Sequence, residues 1–445
     1  MGRLRVYPHT GEENVERSDR AVLVGVDTGD SDWPLEESLA ELERLAHTAG
    51  IEVVASATQR MNRPHSRTFI GSGKAEEVVA LAQQTSATLV IFDDELSPSQ
   101  QANLEGLLPD VGVLDRTQLI LDIFGLHAVS REGKLQVELA KLEYLLPRLR
   151  GMWGHLERER LGGGRGARFG AGESQLEVDR RLARRRISEL KRELASVAGE
   201  RMLQRKQRAR SGVFRVALVG YTNAGKSTLL NSLTDADVLA YDMLFATLDS
   251  TTRRLDLPEG RQITLTDTVG FIHKLPHGLV EAFKSTLDEV NEADLLLHVT
   301  DASAVHSEAQ MQAVREVLQE IGAHTKPSVV VLNKSDALTV PERESLLRRH
   351  PAALMCSAAT GEGLQLIIER ISEEAARGSR TVTVTIPFTR GDLVTLAHEK
   401  AQIVSERHSE AGTTLVLRIP GELVSAFEPY ESEPAPDSDD DNAGS

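Results

Sequence analysis

Short apolar runs alternate with amphipathic stretches through the first third of the chain. AVLVGV (Ala21–Val26), IEVVASAT (Ile51–Thr58) and ATLVIFDD (Ala87–Asp94) have the length and β-branched content of buried strands. SLAELERLAHTAG (Ser38–Gly50) and AEEVVALAQQ (Ala75–Gln84) repeat apolar residues at helical spacing. This alternation predicts a small α/β domain with a parallel sheet over residues 21–127. Between residues 128 and 211 the pattern becomes purely helical. KLQVELAKLEYLLPRLR (Lys134–Arg150) and SQLEVDRRLARRRISELKRELASV (Ser174–Val197) flank LGGGRGARFGAGES, which predicts a helical hairpin with a glycine-rich tip. Strand and helix alternate again over 212–376. TVTVTI, DLVTLAHEK and GTTLVLRI then predict a small α+β domain over 380–427. The polar ends, 1–20 and 428–445, are expected to be disordered. The fold class is therefore α/β, built on a central domain with a parallel sheet.

Charge sharpens this picture. The formal net charge is −16, yet Arg148–Arg210 holds 18 basic against 8 acidic side chains, a net of +10. Arginine far outnumbers lysine there, which favours phosphate recognition by the hairpin over a merely solvated face. The single cysteine, Cys356, rules out an internal disulfide framework and suits a reducing compartment. No apolar run approaches the ~18 residues of a membrane span, and the N-terminal stretch lacks a signal-peptide core. The expectation is a soluble, cytoplasmic monomer.

Two glycine-rich segments besides the tip invite a phosphate. GSGK (Gly71–Lys74) has neither the spacing nor a hydroxyl after its lysine, and reads as a turn before a helix. GYTNAGKS (Gly220–Ser227) is a full G-x-x-x-x-G-K-S between the run FRVALV and the helix-like TLLNSLT. Its residues Gly220, Tyr221, Thr222, Asn223, Ala224, Gly225, Lys226 and Ser227 form a phosphate cradle in which backbone N–H groups converge on the ligand. Lys226 would reach the β- and γ-phosphates, and Ser227 would ligate Mg²⁺.

Three further segments follow in the order a guanine-nucleotide switch needs. Asp267, Thr268, Val269 and Gly270 end a strand; Asp267 can hold Mg²⁺ through a water and the Gly270 N–H can meet the γ-phosphate. Asn333, Lys334, Ser335 and Asp336 end the next, and a carboxylate at Asp336 can accept from both N–H donors of guanine. Ser357, Ala358 and Ala359 offer backbone to the guanine carbonyl. A hydroxyl from FATLDSTTRR should complete the Mg²⁺ site, and Thr247, Thr251 and Thr252 all compete for that role. Phe271 stands where many GTPases place a glutamine that orients water, which predicts slow unaided hydrolysis. His273 is the nearest titratable side chain, but it reads first as an exposed loop histidine.

At this level the chain resembles the HflX family of translational GTPases, through FATLD (Phe245–Asp249), DTVGFI (Asp267–Ile272) and GAGESQLEVDRR (Gly170–Arg181). The last is similar to the family's G-P-G-E-T-Q-L-E-x-D-R-R signature, with Ala171 for proline and Ser174 for threonine. Likewise Ser250 stands where proline is common. The resemblance selects Thr247 as the Mg²⁺-linked threonine and adds Phe245, Ala246, Leu248 and Asp249 to the nucleotide site. Lys226, Thr247 and Gly270 would carry catalysis. It implies a ribosome-stimulated GTPase that binds the large subunit and, with GTP, dissociates stalled or idle 70S ribosomes under stress. Arg165, Arg168, Arg180 and Arg181 would contact rRNA near the peptidyl transferase centre. Alternatives are a GTP-gated assembly or anti-association factor that does not split ribosomes, and an RNA-dependent ATPase or helicase acting through the N-terminal domain. ATP binding by that domain is implied for some relatives, although no complete ATP motif occurs in it. Asn223 matches the loop asparagine of potassium-stimulated relatives, which would add K⁺, and equally reads as a loop-stabilising amide.

Overall fold

The computed structural model describes residues 19–29, 33–149, 171–209, 213–234, 244–258, 260–274, 284–377, 379–420 and 423–432. The first domain is a four-stranded parallel sheet in the order β2-β1-β3-β4. Its strands are β1 (Arg20–Asp27), β2 (Glu52–Arg60), β3 (Leu89–Phe92) and β4 (Gly112–Asp115). Helices α1 (Leu35–Thr48), α2 (Ser72–Thr85), α3 (Pro98–Leu107) and α4 (Arg116–His127) connect and cover it. GSGK is structural: Gly71 caps α2, Ser72–Lys74 form its first turn, and Lys74 pairs with Glu77 at 2.6 Å.

Helix α5 (Arg131–Leu145) and the 39-residue α6 (Ala171–Ala209) follow. They pack together through Leu135, Leu139 and Leu190, and the Arg186 guanidinium grips the Glu138 carboxylate through Nε and Nη2, at 2.7 and 2.9 Å. The glycine-rich link with Arg165 and Arg168 lies outside the described residues.

The central sheet has six strands in the order β10-β9-β8-β5-β7-β6. These are β5 (Phe214–Gly220), β6 (Thr251–Asp256), β7 (Gln262–Asp267), β8 (Leu295–Asp301), β9 (Ser328–Asn333) and β10 (Leu354–Met355). All pairings are parallel except β6 with β7. Helix α7 (Lys226–Thr234) follows β5, and α8 (Lys284–Glu292), α9 (Ser307–Glu320), α10 (Val340–Arg349) and α11 (Leu364–Arg377) complete the layers. No helix among the described residues is long and apolar enough to cross a membrane.

The last domain is an antiparallel sheet of β11 (Ser379–Ile386), β13 (Gly412–Pro420) and β12 (Gln402–Ser409), with α12 (Gly391–Lys400) over one face. It runs past the expected end at residue 427. Glu431 bridges Val384, and the Ser432 N–H donates to the Thr383 carbonyl at 2.9 Å.

One apolar cluster crosses the first domain boundary. Leu42, Leu45 and Phe124 share it with Phe245, Leu248, Val269 and Phe271. The N-terminal domain is thus packed against the loops that surround the glycine-rich motif of the central domain.

Candidate nucleotide site

The turn after β5 has the shape its glycines require. Thr222, Asn223, Gly225, Lys226 and Ser227 line an open cavity of ≈ 420 Å³ together with Phe245, Ala246, Thr247, Thr268 and Gly270. Residues far apart in the chain, from FATLD and DTVG, are therefore brought onto the phosphate loop as expected. Lys226 is buried, and its ammonium donates to the carbonyls of Gly220 (3.2 Å) and Tyr221 (2.9 Å). Burial pulls its pKa down to about 8, against the opposing pull of Asp267. A Cβ on Gly270 would lie 2.7 Å from the Thr222 Cα and 3.0 Å from Lys226 Nζ, so the segment approaches the phosphate loop as only glycine can.

Three side-chain oxygens converge beside Lys226. Ser227 Oγ and Thr247 Oγ1 are 2.8 Å apart, and both donate to Asp267 Oδ2, at 2.6 and 2.9 Å. Adjacent ligands of an octahedral Mg²⁺ at 2.0–2.1 Å stand about 2.9 Å apart, so the two hydroxyls have the right separation for direct ligands. Asp267 Oδ1 is buried with no partner among the described residues, which leaves it able to hold a metal-bound water. Burial raises the Asp267 carboxyl, with Lys226 and the two hydroxyls pulling it back. Thr247 is thereby distinguished from Thr251 and Thr252, which begin β6; Thr252 bonds Thr266 across the pair at 2.9 Å.

At the other end Asn333 is a clamp. Its Nδ2 donates to the Ala224 carbonyl at 2.9 Å, and its Oδ1 accepts from the Ala358 N–H at 2.9 Å. Lys334 sits in the left-handed region (φ 61°) with its ammonium 2.8 Å from Asp301. Asp336 is exposed, as a base-reading carboxylate must be, while Ser335 is buried with its N–H on the Cys356 carbonyl. The expectation for the next loop needs correction. The Ala358 N–H is committed to Asn333 and the Ser357 N–H to Glu362, so Ala359 carries the remaining N–H of the three.

Several expected site residues turn away. The Tyr221 hydroxyl donates to Glu41 of α1 and accepts from the His273 N–H at 2.7 Å. Leu248 is in the shared core, and the Thr268 hydroxyl donates into β5, to the Leu218 carbonyl, at 2.7 Å. Val269 is packed in the same core. Asp249 faces α5, with its carboxylate on the Val129 and Ser130 N–H groups. Phe271 is buried too; its N–H and carbonyl bridge Gly220 and Thr222 at 3.1 and 2.7 Å.

His273 is not an exposed loop residue. It stacks on Trp33, and its pKa is pulled to about 4 by burial, then by Arg116 and Lys274. Beside it Lys274 reaches Asp93 at 2.7 Å and also pairs with Asp94. Buried Arg116 joins Asp93 (2.9 Å) to Glu41. Burial pushes the Asp93 carboxyl up, but Arg116 and Lys274 outweigh it and hold the group below its ordinary range. Asp93 and Asp94 follow β3 and Arg116 follows β4, so these groups crowd carboxyl ends of the sheet, where a parallel sheet ordinarily takes its ligand. A lysine of the central domain occupies that place.

On α6, Arg180 is half-buried and Arg181 exposed. Arg185 and Arg192, which the sequence reading passed over, are exposed and fall within about 40° of Arg181 around the helix. The clue was their spacing, which repeats along one helix face.

Three family models match successive parts of the chain: GTP-binding GTPase N-terminal over residues 36–125, GTP-binding GTPase Middle Region over 127–208, and 50S ribosome-binding GTPase over 215–334. The GTPase HflX of Lacrimispora saccharolytica is 46% identical over 416 residues, 93% of this chain and 96% of that protein. The GTPase HflX of Escherichia coli K12 is 44% identical over 416 residues, 92% and 95% of the two. A crystal structure of a GTP-binding protein from Sulfolobus solfataricus in complex with GDP aligns at 26% identity, 80% of this chain and 99% of that one, with a TM-score of 0.42.

Proposed function

Because the chain belongs to the HflX family of GTPases, we propose that its GTP form docks on the large ribosomal subunit and separates the subunits of stalled or idle ribosomes, with hydrolysis permitting release. The observation that carries the reading is the convergence of Ser227, Thr247 and Asp267 beside Lys226, on a domain similar to 50S ribosome-binding GTPases. Ser227 and Thr247 would ligate Mg²⁺ directly and Asp267 through a water. The bound cation would neutralise charge developing between the β- and γ-phosphates. Lys226 would exchange its two backbone carbonyls for phosphate oxygens, and the Gly270 N–H would meet the γ-phosphate. Asp336 would read the guanine edge. A K⁺ ion held with Asn223 belongs to the same reading.

Phe271 offers no group to orient water, so hydrolysis in this reading is slow until the ribosome contributes. The arginine face of α6, Arg181, Arg185 and Arg192, together with Arg165 and Arg168, would meet rRNA phosphates. Sedimentation of 70S ribosomes with the protein and GTP, or a non-hydrolysable analogue, tests the proposal. The expected result is a rise in free subunits. Binding to large subunits without that rise would favour an anti-association factor. ATP turnover that survives Asp336→Ala would favour an RNA-dependent ATPase.

A further inference from the structure

Asp249 lies two residues beyond the Mg²⁺-linked Thr247, yet its carboxylate faces another domain. Oδ2 accepts from the backbone N–H groups of Val129 (3.0 Å) and Ser130 (2.7 Å), and Oδ1 accepts from the Ser130 hydroxyl. Ser130 is the N-cap of α5, its Oγ accepting in turn from the Gly133 N–H at 2.8 Å. The carboxylate therefore sits on the positive amino end of α5, where a helix favours an anion. Gly133 makes the approach possible: a Cβ there would lie 2.6 Å from Asp249 Oδ1 and 3.1 Å from Ser130 Oγ. Phe245 adds to the grip, stacking edge-on against Phe124 with ring centroids 4.6 Å apart.

The segment 245–249 thus touches two things at once. Thr247 is held by the nucleotide-site hydroxyl and carboxylate, and Asp249 holds the base of α5, which packs on the arginine-bearing α6. A segment ordered by γ-phosphate and Mg²⁺ is released when the phosphate is lost.

We propose that Asp249 is the positioning residue through which the nucleotide state sets the placement of the α5–α6 unit. With GTP, Thr247 stays on the metal site and Asp249 keeps α5 as it stands here. After hydrolysis the segment leaves and α5 loses its anchor. The coupling is reciprocal, so force on α6 from a bound RNA feeds back on Thr247. The part concerning RNA rests on the ribosome reading above; the coupling itself does not.

The test uses the full chain with nitroxides at Leu182→Cys on α6 and Leu347→Cys on α10. Both leucines are exposed and native Cys356 is fully buried. Pulsed electron resonance compares the GDP form with a non-hydrolysable GTP analogue. In the parent protein the distance distribution should shift between nucleotides. Gly133→Ala, which improves helix propensity while expelling the carboxylate, should give the GDP-like distribution with both nucleotides, and Asp249→Asn should behave alike. Retention of the shift in both variants overturns the proposal, as does an unshifted parent. In parallel, the parent should favour the analogue over GDP in large-subunit affinity by roughly tenfold, and Gly133→Ala should reduce this to under about twofold. A parent that binds no large subunits defeats the ribosome reading but leaves the distance measurement decisive for the coupling.

Discussion

The imidazole of His273 lies flat on the indole of Trp33, with ring centroids 4.7 Å apart and planes 9° from parallel. This contact ties the loop after Gly270 to the N-terminal domain, and it is built for a neutral histidine. The folded pKa of His273 is about 4 against an ordinary 6.5, and buried His298 on β8 is likewise at about 4 through burial, then Arg315 and Lys226. Unfolded chains therefore bind more protons between pH 4 and 6.5, and stability must rise with pH across that window. The melting temperature should fall as pH drops from 6.5 towards 4. His273→Phe, which keeps the stacking, should flatten part of the fall; an unchanged profile would count against the assignment.

Phe271→Gln restores a glutamine only in the sequence. The side chain at this position points into the core shared with Phe245 and Val269, not at the phosphate. The variant should lose about 3 kcal/mol or more of stability, as truncations of buried phenylalanine do, with no gain in unaided GTP hydrolysis. Single-turnover hydrolysis alongside urea unfolding checks both halves.

With Asp336 reading the guanine edge as proposed, Asp336→Ala would remove two charge-assisted hydrogen bonds, each worth about 1.5–3 kcal/mol. GTP affinity should fall by a factor on the order of 10² to 10⁴, and discrimination against ATP should drop sharply. Calorimetric titration with both nucleotides measures this directly.

Replacing Arg181, Arg185 and Arg192 together by alanine removes three charges from one face of α6. Large-subunit binding should weaken, and its logarithmic salt slope should decrease by about three, while GTP affinity holds. An equal loss of GTP affinity would show that the face serves the fold instead.

The nucleotide motifs were legible in the chain because phosphate and guanine demand fixed residue types at fixed spacing. Which side chains within those motifs face the ligand was not. Tyr221 and Asp249 sit inside recognisable segments, but their partners, Glu41 and Ser130, lie 180 and 119 residues away. Local pattern carries no trace of such pairings. The missed elements have physical reasons as well. Strand β4 is four residues long, α4 is apolar on nearly every side, and β12 is polar, exposed and shifted in register between Ile403 and Ser405. Each lacks the periodicity by which an element announces itself.

Helix α6 meets α5 around Leu190, close to the middle of its 39 residues. At 1.5 Å per residue each arm is about 28 Å long. The geometry is that of a seesaw with its fulcrum at the packed centre. A tilt of 10° would carry either tip about 5 Å. A contact as small as one carboxylate at the foot of α5 can thus be geared up into a displacement on the scale of a nucleotide.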